Sequence, residues 1–456
     1  MLSIDKISND KEATLIGLKK RGFSNLEVID KLIELNSDRK QIQQKLDQIL
    51  FESNTISKEI AEIFKSGNKS NDVEGLKSKS AELKIKSKDL SDQLDKTKSS
   101  ILSIITTIPN LPDKDVPEGL TVDDNLEVFT SGQIKDSNES LKNHWDLAKE
   151  LDIIDFELGS KITGSGFPVY KGKGAKLQRA LINFFLDRNT SAGYTEFQVP
   201  HLVNSESAFA TGQLPDKDGQ MYHINNDDFY LIPTAEIPLT NIYRDNILSN
   251  EELPVLLTGY TPCFRREAGS YGSDVRGLNR LHQFDKVEIV RLEHPKNSNN
   301  ALSKMKDHII SILSELELDF RILNLCAGDL GFTSAITYDF ELFSKGQKKW
   351  LEISSVSNFK TYQSNRLNLK FKDKDGKNYL LHTLNGSSLA LPRVMAGLIE
   401  NNADIAVAAC NGESQPVFCL CKKSVAKSLD DYLSNGGRKV SIWQNSQKTI
   451  KVDFSD

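Results

Sequence analysis

The densest chemistry in this 456-residue chain lies between Phe264 and Glu288. Phe264-Arg265-Arg266-Glu267 opens the stretch, and Gln283-Phe284-Asp285-Lys286-Val287-Glu288 closes it. Both ends read as strands, and the middle, Ala268 to Arg280, carries three glycines among polar residues and reads as a long mobile loop. Strand, loop and returning strand place Arg265 and Glu288 on neighbouring strands of one sheet. A fixed cation beside a carboxylate suits a zwitterionic substrate and a polyphosphate. No G-x-x-x-x-G-K-[ST] pattern occurs, so these glycines are not a P-loop. Taken in isolation, Arg265 and Glu288 read more simply as a cross-strand ion pair worth roughly 0.2–1 kcal/mol.

Elements able to carry such a site follow from periodicity. From Leu32, positions 3.5 residues apart are apolar in eight cases of ten up to Ile63, and from Leu76 in seven of ten up to Ile108. The intervening Ser66-Gly67-Asn68-Lys69-Ser70-Asn71-Asp72 has turn composition. Two heptad helices joined by a short loop predict an antiparallel coiled-coil hairpin, about 45–50 Å long, projecting as an arm. A dimerising coiled coil is the alternative, disfavoured by the short loop. Pro109 and Pro112 end the second helix, and Pro112 to about Ser140 reads as a linker. The following block, to Asn402, mixes helices near 174–188 and 300–316 with alternating runs at Thr195–Val199 and Lys286–Val290. That pattern predicts an α+β domain, an antiparallel sheet flanked by helices.

Composition narrows the class. Hydrophobic residues make up only 38%, which fits a polar-faced arm beside one large core. Ile101–Ile108 and Ile405–Cys410, the longest apolar runs, are far short of the roughly 20 residues that span a bilayer. The first twelve residues lack a signal-peptide core, and five scattered cysteines suit a reducing compartment, so a cytoplasmic protein without a membrane role is expected. Cys419 and Cys421 lack the second pair that a zinc site needs. Net charge is −5, yet residues 1–110 carry nineteen Lys/Arg against seventeen Asp/Glu, with nine Lys against six acids between Phe64 and Ser100. Such an excess can meet phosphate, although a solvated helix face produces the same run.

The Phe264–Glu288 stretch resembles motif 2 of class II aminoacyl-tRNA synthetases, most closely the seryl-tRNA synthetase family. Gly193–Pro200 resembles motif 1, the dimer-interface element, and Asn385–Arg393 resembles motif 3. Thr234-Ala235-Glu236 and Glu352-Ile353-Ser354-Ser355-Val356-Ser357-Asn358 match serine-specific signatures, and the hairpin is similar to the family's tRNA-binding arm. The resemblance covers residues 1–402. It implies a ligase that activates L-serine with ATP to seryl-adenylate and loads the 3′ end of tRNA(Ser), with tRNA(Sec) a second acceptor. It further implies a homodimer joined through motif 1. On this resemblance Arg265 clamps the α-phosphate and the serine carboxylate, while Arg393 holds the far end of the triphosphate. Phe284 stacks on adenine. Arg266, Glu267, Ile353 and Ser354 complete the ATP site, and Glu352 and Ser355 contact Mg²⁺. Thr234, Ala235, Glu236, Glu288 and Ser387 receive serine. Competing expectations are a relative that loads a carrier protein, which usually lacks the arm, and a non-catalytic RNA-binding coiled coil.

Beyond Asn402 the family pattern stops. Gly412-Glu413-Ser414-Gln415-Pro416-Val417, Gly436-Gly437-Arg438-Lys439-Val440 and Val452-Asp453-Phe454 resemble the C-terminal part of molybdenum cofactor guanylyltransferases, without their phosphate-binding N-terminus. Three units are therefore expected: an arm (1–110), a catalytic domain (111–402) and an atypical, non-catalytic tail (403–456) exposing Val417, Phe418 and Leu420.

Overall fold

The computed structural model describes residues 1–66, 73–132, 141–267, 276–400, 405–410, 413–421, 425–447 and 449–453. The expected arm turn at 67–72, the middle of the motif 2 loop (268–275) and the join at 401–404 lie outside them, as do the side chains of Val417, Phe418 and Leu420.

Two short helices, Ile4–Asn9 and Lys11–Lys20, precede the long pair Val28–Ser66 and Val73–Ile105. At 1.5 Å per residue the long helices reach roughly 50–60 Å, somewhat more than the heptad count suggests. The predicted seam is the one that packs: Leu32, Leu46, Ile56, Leu83, Leu94 and Ile101 are buried, while the outer faces are mostly polar with Phe51, Phe64 and Ile85 exposed among them. At the base, Leu32, Ile101, Ile105 and Ile108 join Leu18, Ile29 and Tyr362 in one apolar cluster. That cluster fixes the arm to the body.

The body is built on an eight-stranded sheet in the order Leu126–Thr130, Phe320–Asn324, Ile336–Ser344, Lys349–Lys360, His382–Ala390, Gln283–Glu293, Val255–Phe264 and Thr195–Glu196. Neighbours are antiparallel except the last two, which run parallel. Side chains alternate between the two faces of such a sheet. One face presents Val287, Ile289, Phe340, Val356 and Leu384 to helices Lys173–Ser191, Ser298–Glu315 and Leu391–Glu400, forming the main core. The opposite face carries Glu288, Asn385 and Ser387, and there the chemistry sits.

Residues Pro112 to Gly132 are not a linker. Asn110 is buried and donates from Nδ2 to the Thr333 and Phe359 carbonyls, both at 2.8 Å. Leu126–Thr130 forms the outermost strand of the sheet. All five of its residues are exposed, although Leu126 and Val128 alternate with Glu127, and the run is too short to stand out among linker residues. The Thr195–Val199 run is also shorter as a strand than expected, pairing only at Thr195 and Glu196. The tail forms a separate three-stranded sheet, ordered Glu413–Cys421, Ile405–Cys410, Thr449–Asp453, with helices Ala426–Ser434 and Val440–Asn445. Val425 and Trp443 make its small core with Leu429 and Tyr432. Among the described residues no helix is long and apolar enough to cross a membrane.

Candidate active site

Glu288 lies directly opposite Gly259 on one side and Ser387 on the other, in the middle of the sheet. Arg265 follows the strand Val255–Phe264, and its backbone N–H donates to the His282 carbonyl at 2.9 Å. Arg265 thus stands just past the end of the neighbouring strand rather than on it, six residues from the position opposite Glu288. No ion pair between them is needed. The partner of Glu288 is Lys286, at 2.7 Å, two residues back on the same face. A lysine inside a strand gave no functional signal in the sequence, and its role was missed.

Around this pair a buried polar pocket closes. The Thr234 hydroxyl donates to Glu288 Oε2 at 3.2 Å and accepts from Lys286 Nζ at 2.9 Å and from the Glu236 N–H at 3.2 Å. Gln363 Nε2 donates to Glu236 Oε1 at 2.6 Å, while its oxygen accepts from Thr383. Asn385 bonds Glu236 as well. Ala235 is fully buried beneath and contributes shape rather than a polar group. Two carboxylates in so dry a place hold their protons more tightly than in water. Burial first, then the neighbouring Glu288 charge, lifts the Glu236 carboxyl to about 7. Burial also raises Glu288, with Lys286 and Thr234 opposing. The pocket carries an excess of negative charge suited to an ammonium.

Lys286 also lines an open cleft with Arg265, Glu267, Phe284, Ser387 and Arg393. Glu352, Ile353 and Ser354 form the cleft's far wall. The Arg265 guanidinium lies 5.2 Å from the centre of the Phe284 ring, a cation–π contact that holds both. Arg393, near the start of helix Leu391–Glu400, donates from Nε to the Asn279 carbonyl at 3.0 Å and from Nη1 to the Glu352 carbonyl at 2.7 Å. Ser354 donates to the Ser387 carbonyl at 2.6 Å, locking two strands below the cleft. Most predicted residues therefore converge on the pocket or the cleft. Arg266 does not: it is exposed and outside the cleft lining, and its N–H is engaged by the Gln220 carbonyl at 2.9 Å.

Ser355 also stands apart from the cleft lining. Its hydroxyl bonds Asp339, which lies directly across from it on the next strand. Asp339 is half-buried, its shielded Oδ1 has no partner, and desolvation together with the Glu352 charge pushes its carboxyl upward. Glu352, half exposed, sits 3.7 Å from Arg393. Among the described residues no group of three His, Cys, Asp or Glu could hold a metal alone. A hard cation that keeps water and phosphate ligands needs only one or two protein oxygens, and Glu352, Ser355 and the orphaned Asp339 oxygen supply that donor type. The residues present fit Mg²⁺. Asp339, in an ordinary alternating strand, was not singled out from sequence.

A second network holds Arg393 from behind. Glu400, at the other end of its helix, accepts from the His144 N–H at 2.9 Å and the Ser344 hydroxyl at 2.6 Å. His144 Nε2 accepts from the Leu278 N–H at 2.8 Å, which leaves Nδ1 as donor to Glu400, 3.2 Å away. Leu278 adjoins Asn279, whose carbonyl receives Arg393.

An antiparallel sheet with a polar substrate face, flanked by helices and bearing an arginine-lined cleft, defines a class II aminoacyl-tRNA synthetase core. A family model for the "tRNA synthetase class II core domain (G, H, P, S and T)" matches residues 220–402, and one for the "Seryl-tRNA synthetase N-terminal domain" matches residues 1–112. Serine--tRNA ligase from Salinibacter ruber is 45% identical over 403 residues, covering 88% of this chain and 94% of that one. The Leptospira biflexa enzyme is 43% identical, covering 88% and 96%. Seryl-tRNA synthetase from Pyrococcus horikoshii, solved with ATP, superposes with a TM-score of 0.81 at 31% identity, covering 88% and 94%. The Naegleria fowleri enzyme, solved with AMP, gives 0.76 at 25%, covering 88% and 93%. The chain belongs to the seryl-tRNA synthetase family.

Proposed function

We propose that the chain couples L-serine to ATP, forming seryl-adenylate and pyrophosphate, and then transfers the seryl group to the 3′ end of tRNA(Ser). The observation that carries this reading is that Lys286 is shared: it pairs with Glu288 in the buried two-carboxylate cluster and lines the Arg265–Arg393 cleft. Glu288, Thr234 and Glu236 take the ammonium and hydroxyl of serine. A site whose buried groups expect a hydroxyl partner rejects alanine, because those groups would be left unpaired. Arg265 holds the serine carboxylate and the α-phosphate in line for attack, a task for a planar guanidinium fork. Phe284 supports the adenine ring, and Arg393 holds the far phosphates. Attack of the carboxylate oxygen on the α-phosphorus builds charge on phosphate oxygens, which these fixed cations stabilise without reorganising. Mg²⁺, held through Glu352 and Ser355 with Asp339 beside them, would neutralise phosphate charge.

The arm binds the tRNA backbone by shape, through its lysine-bearing outer half. Motif 1 joins two copies into a dimer in the cytoplasm, and tRNA(Sec) is a second acceptor. The tail, a small unit beyond the residues matched by the family models, is an appended fragment of molybdenum cofactor guanylyltransferase type and takes no part in catalysis. Aminoacylation of total tRNA with labelled serine tests the reading. Stable, ATP-dependent labelling of a serine-accepting tRNA is expected, and labelling of a small carrier protein instead would replace the assigned acceptor.

A further inference from the structure

Lys286 occupies an unusual place for a lysine. Its side chain is only 7% exposed, and its Nζ reaches Glu288 Oε2 at 2.7 Å and the Thr234 hydroxyl at 2.9 Å. These are two of the oxygens assigned above to the substrate. An amino-acid ammonium and a lysine ammonium offer the same three donors and the same charge. Two such cations cannot share those oxygens in a buried site without strong repulsion. Charge balance explains why one of them is present before substrate arrives. Glu236 and Glu288 both bond Thr234 and the Glu288 charge acts on Glu236, and buried carboxylates need a counter-cation. Lys286 also lines the cleft of Arg265 and Arg393. Rotation about its four-carbon stem therefore moves the ammonium from pocket to cleft.

We propose that Lys286 is a stand-in cation: it fills the ammonium seat of the empty pocket, and serine binds by exchanging its own ammonium for it. The displaced lysine moves into the cleft, beside the serine carboxylate and the α-phosphate. The inference rests on the proposed serine pocket. Exchange lowers the affinity for any ammonium ligand. It also delivers a second cation to the reacting groups only when the seat is filled.

Ethanolamine separates these effects, because it carries the ammonium and hydroxyl of serine without the carboxylate. Its binding to the intact chain is measured calorimetrically at pH 8.5 for the unaltered protein, Lys286→Met and Lys286→Arg. Removing the competing cation should tighten ethanolamine binding to Lys286→Met by roughly tenfold or more. Serine-dependent pyrophosphate exchange in that variant should slow by about 100-fold. Lys286→Arg should retain the weak ethanolamine binding of the unaltered protein. Unchanged or weaker ethanolamine binding by a folded Lys286→Met overturns the inference. If that variant does not fold, Lys286→Gln, which drops the charge but keeps a donor for Thr234, carries the same comparison. Failure of the serine assignment itself would show separately, as absence of serine-dependent exchange in the unaltered chain.

Discussion

Glu236 and Glu288 set the chemical character of the pocket and leave a measurable signature. The Glu236 carboxyl titrates near 4.5 in an unfolded chain and near 7 in the fold. The folded state therefore holds the extra proton between those values. This group's contribution to stability is intact below about 4.5 and is lost as pH rises through 7. The loss is on the order of 3 kcal/mol for Glu236 alone in the ligand-free protein. Melting curves from pH 5 to 8 should show a decline that Glu236→Gln removes, and an identical decline in that variant would place the titration elsewhere. Glu288→Ala should abolish serine-dependent exchange in a chain that still unfolds cooperatively, at a lowered melting temperature because Lys286 loses its buried partner. Arg265, Glu288 and Arg393 were legible because an ordered set of motifs frames them. Lys286, Gln363 and Asp339 were not. Their importance lies in what faces them from other strands and helices, and a strand lysine or a helix glutamine carries no such information locally.

At the scale of elements, helix Leu391–Glu400 presents Arg393 at one end and is tied down by Glu400 at the other. Burial pushes the Glu400 carboxyl up, but hydrogen bonds from His144 and Ser344 outweigh it and hold the carboxyl below its ordinary value. Replacing Glu400 with Ala leaves the His144 and Ser344 donors unpaired in the core, at a cost of roughly 2–4 kcal/mol. Chemical denaturation should show that loss, and a change under 0.5 kcal/mol would mean that the helix is held by packing alone. The arm was legible from its heptads, and its buried seam follows them. The Leu126–Thr130 strand was hidden because five residues, flanked by acidic and turn-forming neighbours, make too short a run. For the arm's function, the cut must spare the base, where Leu32 and Ile101 belong to the apolar cluster. Replacing residues 44–95 with a short Gly-Ser turn should leave serine activation within about threefold and remove aminoacylation. Equal loss of both activities would make the arm a folding element.

In the whole molecule, the family-model matches end at residue 402 and the tail has its own sheet and small core. A chain ending after Asn402 keeps Glu400 and every residue assigned to the site. Its serine activation and its melting temperature should match those of the full chain, and a drop of more than about 5 °C would make the tail part of the catalytic domain's support. The change in family pattern near Asn402 was visible in sequence. Whether the tail folds was not, since that depends on pairing Ile405–Cys410 with Thr449–Asp453, forty residues away. Serine activation depends most directly on the coupling of the two-carboxylate pocket to the arginine cleft. Amino-acid-dependent ATP–pyrophosphate exchange, run on the full chain with serine, threonine and alanine in turn, measures that coupling. Rapid exchange with serine and at least 100-fold slower exchange with the other two is the predicted result. Exchange with alanine at a rate near that of serine would contradict it.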